Sequence, residues 1–474
     1  VTTNAPDKQA ITGLPRHAAN QLWENWGKTA RCRPEYTFAP CSVEELYQIV
    51  HFASQQHKKI RLVTTGHSWS ALVPTDSILV SMNHFNRVAM DLSDGAHPRV
   101  VIEVGATVKE VNDVLEKHGY ALPLNVVLES VRFGGLIATG SHGSGWNNRT
   151  LSDLVHSINL ITAGGELRHF EHGVDSDEVM NAVRLNLGMF GIMIRMTLNV
   201  EKTWNVRTQD RRLPIPYVME NLKDLVLSHD NLDLFWWPFS EQMWVKSWHR
   251  SDAPITAKPR ASASDYWGAA ISGRMYREML RLAHHVPSLT PLICRTMFLA
   301  TPSVRDEVVE VVEAIHYRRA IEVAIMGCVE VGFKIDDDFT NVKEAIQLVF
   351  DANKTYAARH EYPFNVTMNV RFINNSRCLL SPAYGEGHTC YIEFLSRTYQ
   401  TGWEKFSGEV AAQWLKLPQA MPHWAKEFRH IPGVIEHIRS NFGQNIARFN
   451  AVKQQLGVDP ENLFVNGLLG EIFL

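Results

Sequence analysis

The chain has 474 residues, 45% of them hydrophobic and 20% charged, which is enough to bury two or three cores. Its 47 lysines and arginines nearly balance 50 acidic residues, for a formal net charge of -3, so no overall field draws it to nucleic acid or another polyanion. No apolar run reaches the roughly 20 residues of a membrane-crossing helix; the most apolar stretch, 286–300, is broken by Pro287, Pro291 and Arg295 and reads as buried or interfacial.

The first 200 residues alternate helix and strand signals. A helix over 42–56 leads into a β-branched run over 59–65 that stops at Gly66, followed by strands over 77–82 and 100–104 and a helix over 107–117. Residues 133–145, FGGLIATGSHGSG, carry too many glycines for a regular element and suit a backbone that approaches a ligand closely. Strands over 157–162 and 192–200 flank a helix over 176–186. Composition changes near Glu201. The stretch 201–420 holds most of the tryptophans, strand-like runs at 233–237, 242–248, 366–372 and 390–395, and helix-like runs at 304–314 and 342–360, the pattern of a second, α+β domain. Beyond 421, a helical region over 433–455 precedes an apolar end, 463–474, predicted to return to the first domain.

Two segments carry chemistry. In Leu62-Val63-Thr64-Thr65-Gly66-His67-Ser68-Trp69-Ser70, a strand ends at a glycine and turns through hydroxyl residues, exposing successive N–H groups that can bind pyrophosphate oxygens. The plainer alternative is a strand with a polar turn, and a lone histidine there is usually only a hydrogen-bonded side chain. The second segment presents Gly134, Gly135, Gly140, Ser141, His142 and Gly143. Two separated loops without GxGxxG argue against a Rossmann site and suit a cofactor extended between two small subdomains. A Gly-rich surface turn fits less well, because Leu136, Ile137 and Ala138 interleave the glycines.

Six cysteines (Cys32, Cys41, Cys294, Cys328, Cys378, Cys390) lack CxxC or finger spacing, so buried free thiols are predicted rather than disulfides or structural zinc, and no metal is expected. No charged-then-apolar leader precedes the globular pattern, so a targeting segment is expected to be absent or removed. The N-x-S/T triplets at Asn148, Asn353, Asn365 and Asn374 are too short to decide for secretion. The compartment stays open.

With these motifs go Trp23-Glu24-Asn25-Trp26, Leu187-Gly188-Met189-Phe190-Gly191-Ile192, Asn369-Val370-Arg371-Phe372, Leu380-Ser381-Pro382 and Pro422-His423-Trp424-Ala425-Lys426. In this order and spacing the chain resembles the vanillyl-alcohol-oxidase-type FAD enzymes, and among them the aldonolactone oxidase branch. The resemblance implies an α+β fold: a two-subdomain FAD-binding domain (1–200), an α+β substrate cap (201–420) and a C-terminal segment (421–474) returning to the flavin site. It also implies hydride transfer from a CH–OH group of a sugar lactone, alditol or related polyol to flavin N5, with O2 or another acceptor reoxidising the flavin. His67 would bond covalently to the 8α-methyl of the ring, as the only link, since no cysteine lies between Cys41 and Cys294. Thr64, Thr65, Gly66, Ser68, Trp69 and Ser70 would hold FAD, as would the 134–143 loop and Gly188, Gly191 and Ile192. Lys426 would face flavin N1 and C2=O, Arg371 would stabilise a developing alkoxide, and His423 would orient Lys426 or cap the cavity wall.

Two departures stand out. Relatives usually carry glutamate where this chain has Asn369, and an amide cannot accept the substrate's proton. Glu393, on the neighbouring strand, is a candidate replacement; the alternative is that it faces solvent or pairs with Arg371 or another cation. Val126 stands where relatives have glycine or alanine, and would restrict oxygen. Asn369 also favours a rival function, a biosynthetic flavin oxidoreductase of the same fold with a non-lactone substrate. A silent flavin-binding protein is a further rival, opposed by intact Arg371 and Lys426.

Overall fold

Ser42 starts the first long helix, α1 (Val43–Gln55), by accepting from the Glu45 amide, and the buried residues Leu46, Ile49, Val50 and Ala53 fall on one helix face. That face shares a core with a four-stranded sheet of β1 (His17–Ala18), β2 (Tyr36–Phe38), β3 (Ile60–Val63) and β4 (Ile78–Ser81). Its order is β1-β2-β4-β3, with β2, β4 and β3 parallel. A second, antiparallel sheet runs β8-β7-β9-β6-β5, from β5 (Val88–Asp91), β6 (Arg99–Glu103), β7 (Val155–Ile161), β8 (Leu167–Glu171) and β9 (Ile192–Asn199). Against β5 of this sheet packs α2 (Val108–His118), opened by a Thr107/Glu110 capping box and closed by Gly119 at φ 75°. The computed structural model describes residues 14–256, 263–316 and 325–474.

The third sheet has eight strands and is antiparallel at every pairing. They are β10 (Asn205–Pro214), β11 (Asn231–Trp236), β12 (Gln242–Ser251), β13 (Val304–Glu310), β14 (Met326–Lys334), β15 (Thr367–Ile373), β16 (Thr389–Arg397) and β17 (Met421–Pro422), in the order β13-β10-β12-β11-β15-β16-β14-β17. Because side chains alternate along a strand, Met368, Val370 and Phe372 of β15 enter a core with residues of two helices, Thr340–Ala357 and Trp403–Trp414. Asn369 and Arg371 therefore turn to the other face, where no such core covers them. An antiparallel helix pair, Ala263–His285 and Thr290–Leu299, packs at one end of that face through Leu280, Ala283, Ile293 and Met297 against Met326 and Val366.

The structure corrects several sequence expectations. Residues 133–145 do contain a regular element, the short helix Phe133–Ala138, because Phe133, Leu136 and Ile137 bury one face and outweigh the poor helix propensity of the glycines. Gly134 is required by close approach, since a Cβ there would lie 2.9 Å from the Val104 Cβ. The helix predicted over 304–314 is the edge strand β13 followed by one helical stretch, Val311–Ile315; pairing with β10 overrides local preference. The region 433–455 is two helices, Val434–Asn441 and Gly443–Leu456, separated at Phe442. Strands β1, β2, β5, β8, β10, β14 and β17 were not foreseen. All six cysteines are free, but Cys41 is exposed and Cys32 half-buried, since both lie near the surface before α1. In the apolar stretch 286–300, Ile293, Cys294, Met297 and Phe298 are buried while Leu292 and Leu299 are exposed. No helix among the described residues is long and apolar enough to cross a membrane.

The chain's last residues complete the first sheet. The Ile60 amide donates to Leu463 O at 2.9 Å, and Asn466 Nδ2 donates to Ala71 O and Pro74 O, both at 3.0 Å. Arg61, only 3% exposed, donates to Leu72 O (2.8 Å), Phe464 O (2.6 Å) and Leu187 O (3.0 Å). Burial lowers its pKa to about 10, which still leaves it charged at neutral pH. Arg61→Met keeps a side chain of similar length but strips Phe464 O and Leu187 O of their donor and leaves Leu72 O only the Asn466 amide, so a loss of about 2 kcal/mol or more is expected, read as a lower denaturant midpoint.

Candidate active site

One continuous cavity of about 1340 Å³ lies between the first two sheets and the free face of the third. Thr64, Thr65, Gly66, His67, Ser68 and Trp69 form part of its wall, since β3 ends at Val63 and Gly66, at φ 75°, turns the chain back. Facing them are Gly134, Gly135, Ser141 and His142, and Gly188 joins the same wall. The gap between the two loops is narrow: a Cβ on Gly135 would lie 3.4 Å from Thr64 Oγ1. A crevice walled by glycine and hydroxyl residues fits an extended dinucleotide. His67 stacks on Trp26, centroids 4.9 Å apart.

The remaining loop residues serve packing instead. Ser70 Oγ donates to the Trp424 carbonyl, Gly140 abuts Leu185, Gly143 abuts Asn125 O and Gly191 abuts Ile161 O, while Ile192 is buried at the start of β9. These contacts still position the wall. The Trp69 amide donates to Ala425 O at 2.7 Å, and its indole donates to Met326 O at 2.6 Å. So the 64–70 turn, β14 and the 422–426 segment form one unit, with the Lys426 ammonium 4.9 Å from the Trp69 ring centroid.

Strand register assembles the opposite wall. Asn369 of β15 stands beside Glu393 of β16, which stands beside Glu330 of β14. Glu393 Oε1 accepts from Asn369 Nδ2 at 2.7 Å and lies 3.2 Å from Arg371 Nη1, and its Oε2 accepts from Lys426 Nζ at 2.8 Å. Glu393 thus faces the cavity and pairs with Arg371 at once. Glu330, buried, lies 3.5 Å from His142 Nε2, 3.7 Å from Lys426 Nζ and 3.9 Å from Arg371 Nη1. One step along the strands, a row of alternating charge crosses five strands: Arg305, Asp210, Lys246, Asp233 and Arg371 stand side by side in register.

Burial is the largest influence on both carboxyls and works to raise them, but Lys426 together with His142 at Glu330, and with Arg371 at Glu393, outweighs it and holds both below the usual range. Burial likewise opposes the Lys426 ammonium, while the Cys328 sulfur, Glu393 and Glu330 raise it above an ordinary lysine. Cys328 is itself pushed well up by burial and stays a thiol, so the carboxylates carry that attraction at neutral pH. His142, Glu330 and His423 bring their ring nitrogens and a carboxylate oxygen within 4.8 Å of one another, a spacing a metal ion could use. Two cations, Lys426 and Arg371, already stand within 4 Å of the Glu330 carboxylate, and their charge disfavours a third.

Glu330, Asp233, Asp210 and Lys246 escaped the sequence reading. The available signal was a single charge in an apolar run, as in Met326-Gly327-Cys328-Val329-Glu330-Val331.

Comparison with known proteins agrees with this geometry. The sequence pattern of the D-arabinono-1,4-lactone oxidase family matches residues 196–472, and that of an FAD binding domain matches 34–171. The L-gulonolactone oxidase of Scyliorhinus torazame is 27% identical over 465 residues, 95% of this chain and 98% of its own. The L-gulono-1,4-lactone dehydrogenase of Mycobacterium tuberculosis is 27% identical over 455 residues, 94% and 97% of the two chains. Among solved structures, cholesterol oxidase from B. sterolicum superposes with a TM-score of 0.81 at 16% identity, over 99% of this chain and 100% of that one. Fold and site define an FAD-dependent oxidoreductase acting on CH–OH donors, built on the α+β vanillyl-alcohol-oxidase-type scaffold. The chain belongs to the D-arabinono-1,4-lactone oxidase family.

Burial holds His423 down to about 3, against the pull of Glu330, so it is neutral in the folded protein. An unfolded histidine titrates near 6.5, so the unfolded state takes this proton first and stability is lost as the pH falls from about 6.5 toward 3. His423→Gln removes this contribution. Its melting temperature should drop less than the wild type's between about pH 7 and pH 4.

Proposed function

We propose that this chain oxidises a carbinol of an aldonolactone, with FAD bonded through His67 to the 8α-methyl of its ring. The observation that carries the proposal is the Glu393 carboxylate, which stands on the cavity wall between Asn369, Arg371 and Lys426. The names of the relatives that match along nearly the whole chain support a lactone as the substrate class.

When bound, FAD supplies the position that takes the hydride, flavin N5. Arg371, held by Asp233 at 3.7 Å and Glu393 at 3.2 Å, presents its guanidinium to the substrate oxygen and stabilises the alkoxide as it develops. Glu393 accepts the hydroxyl proton. Asn369 donates to Glu393 and fixes its direction without competing for that proton. Lys426, on the cavity wall beside Trp69, would stand toward the flavin's N1 and C2=O edge, where its ammonium would offset negative charge. His423 Nδ1 accepts from the Ala425 amide at 3.1 Å, so His423 sets the turn that carries Lys426. Val126, on the cavity wall, narrows the approach of O2 and favours another electron acceptor.

Denatured wild-type protein should keep its yellow flavin on a peptide containing His67, and His67→Ala should release all of it on acid precipitation. Because Glu393 is held below the ordinary carboxylate range, it is always ionised near neutrality but gains little driving force as a base. Glu393→Gln should therefore slow anaerobic flavin reduction by about 10²-fold, the lower end for such groups, with FAD content unchanged. Reduction at the wild-type rate would assign the proton elsewhere. In stopped-flow reoxidation by air, Val126→Gly should be faster than wild type; equal rates would remove Val126 as a gate.

A further inference from the structure

Beside the reacting carboxylate the cavity changes character. Following the row of Glu393 and Asn369 sideways across the sheet, the next residues in register are Phe235 of β11 and Trp244 of β12, with ring centroids 4.9 Å apart. Trp237 lies two residues past Phe235, its ring 6.1 Å from Phe298. Met279 and Met297, from the helix pair at this end of the sheet, and Leu395 line the same space. Met275 and Val304 also line it while being 61% and 67% exposed, so the gallery reaches solvent beside them.

A bare sugar lactone can lay one C–H face on a single ring, but it is too small and too rich in hydroxyls to cover a wall of Phe235, Trp237, Trp244, Met279 and Met297. The walls do make one polar offer. The indole N–H groups of Trp237 and Trp244 are buried and meet no acceptor among the described residues. Buried donors of this kind are normally satisfied, so their position marks where a ligand oxygen belongs.

We infer that the substrate is an amphiphile: a lactone whose carbinol end lies among Asn369, Arg371 and Glu393, and whose apolar acyl or aryl substituent fills the gallery. An oxygen at the linkage accepts from Trp237 or Trp244. This rests on the lactone-oxidising function proposed above and specifies its substrate class.

The test is anaerobic stopped-flow reduction of the holoenzyme by L-gulono-1,4-lactone and by its octanoyl ester at the primary hydroxyl, reading the Kd from the dependence of rate on concentration. Each buried methylene strengthens binding about threefold to fourfold, so the ester's Kd should be lower by about 100-fold or more. Met279→Trp, which fills the gallery, should collapse the ratio of the two Kd values toward one. Trp244→Phe, which keeps a ring but removes the N–H, should raise the ester's Kd by about threefold to tenfold relative to the lactone's. If both compounds reduce the flavin with equal Kd, or the ester is excluded, the inference falls and the lactone-oxidising function stands. If neither reduces the flavin, that function fails and the inference with it.

Discussion

The site depends on keeping charge out of water without leaving any of it unpaired. Glu330 and Glu393 are almost wholly buried, and isolated carboxylates there would cost several kcal/mol each. Arg371 and Lys426 make the burial tolerable, and they come from different parts of the chain, one from β15 and the other from the segment after β17. Two anions against two cations leave the cluster near neutral, with the Cys328 thiol packed uncharged among them. The same balance that makes the groups chemically useful holds the eight-stranded sheet against the loop 64–70. Removing one member would leave an uncompensated charge as well as a missing function.

Much of this was legible in the sequence, and the limits have physical causes. Elements whose apolar residues fall on one face, such as α1 and α2, show their period directly. The loops at Gly66 and Gly134 announce themselves through glycine at positions where a side chain would clash or strain. Strand β14 is different, because all nine of its residues are buried, so it has no polar side to alternate with and gives no period to read. Glu330 went unseen with it. Strand β13 was misread because Val304-Arg305-Asp306-Glu307 carries helix-compatible charges, and only the partner strand almost a hundred residues earlier makes it extended. The pairing of Glu393 with Asn369 and Lys426 could not be deduced from spacing, since register between strands is set by the whole sheet.

The free face of the third sheet is divided lengthwise. One row, Arg305 to Arg371, alternates three cations with two anions and shares its last cation with Glu393, while the adjoining row passes from Trp244 and Phe235 to Asn369, Glu393 and Glu330. A single rule of strand geometry therefore sets apolar and ionic surfaces one pleat apart. Glu393 sits at their junction.

The return of the chain's last segment to its first sheet has a consequence for biogenesis. Proteins emerge from the ribosome N-terminus first, and domains generally fold in that order. Here Lys59, Ile60 and Arg61 wait for partners at Asn462, Leu463 and Phe464, some four hundred residues downstream. The cofactor crevice flanked by that strand is therefore finished only after those four hundred residues have been made, and flavin loading waits on their synthesis.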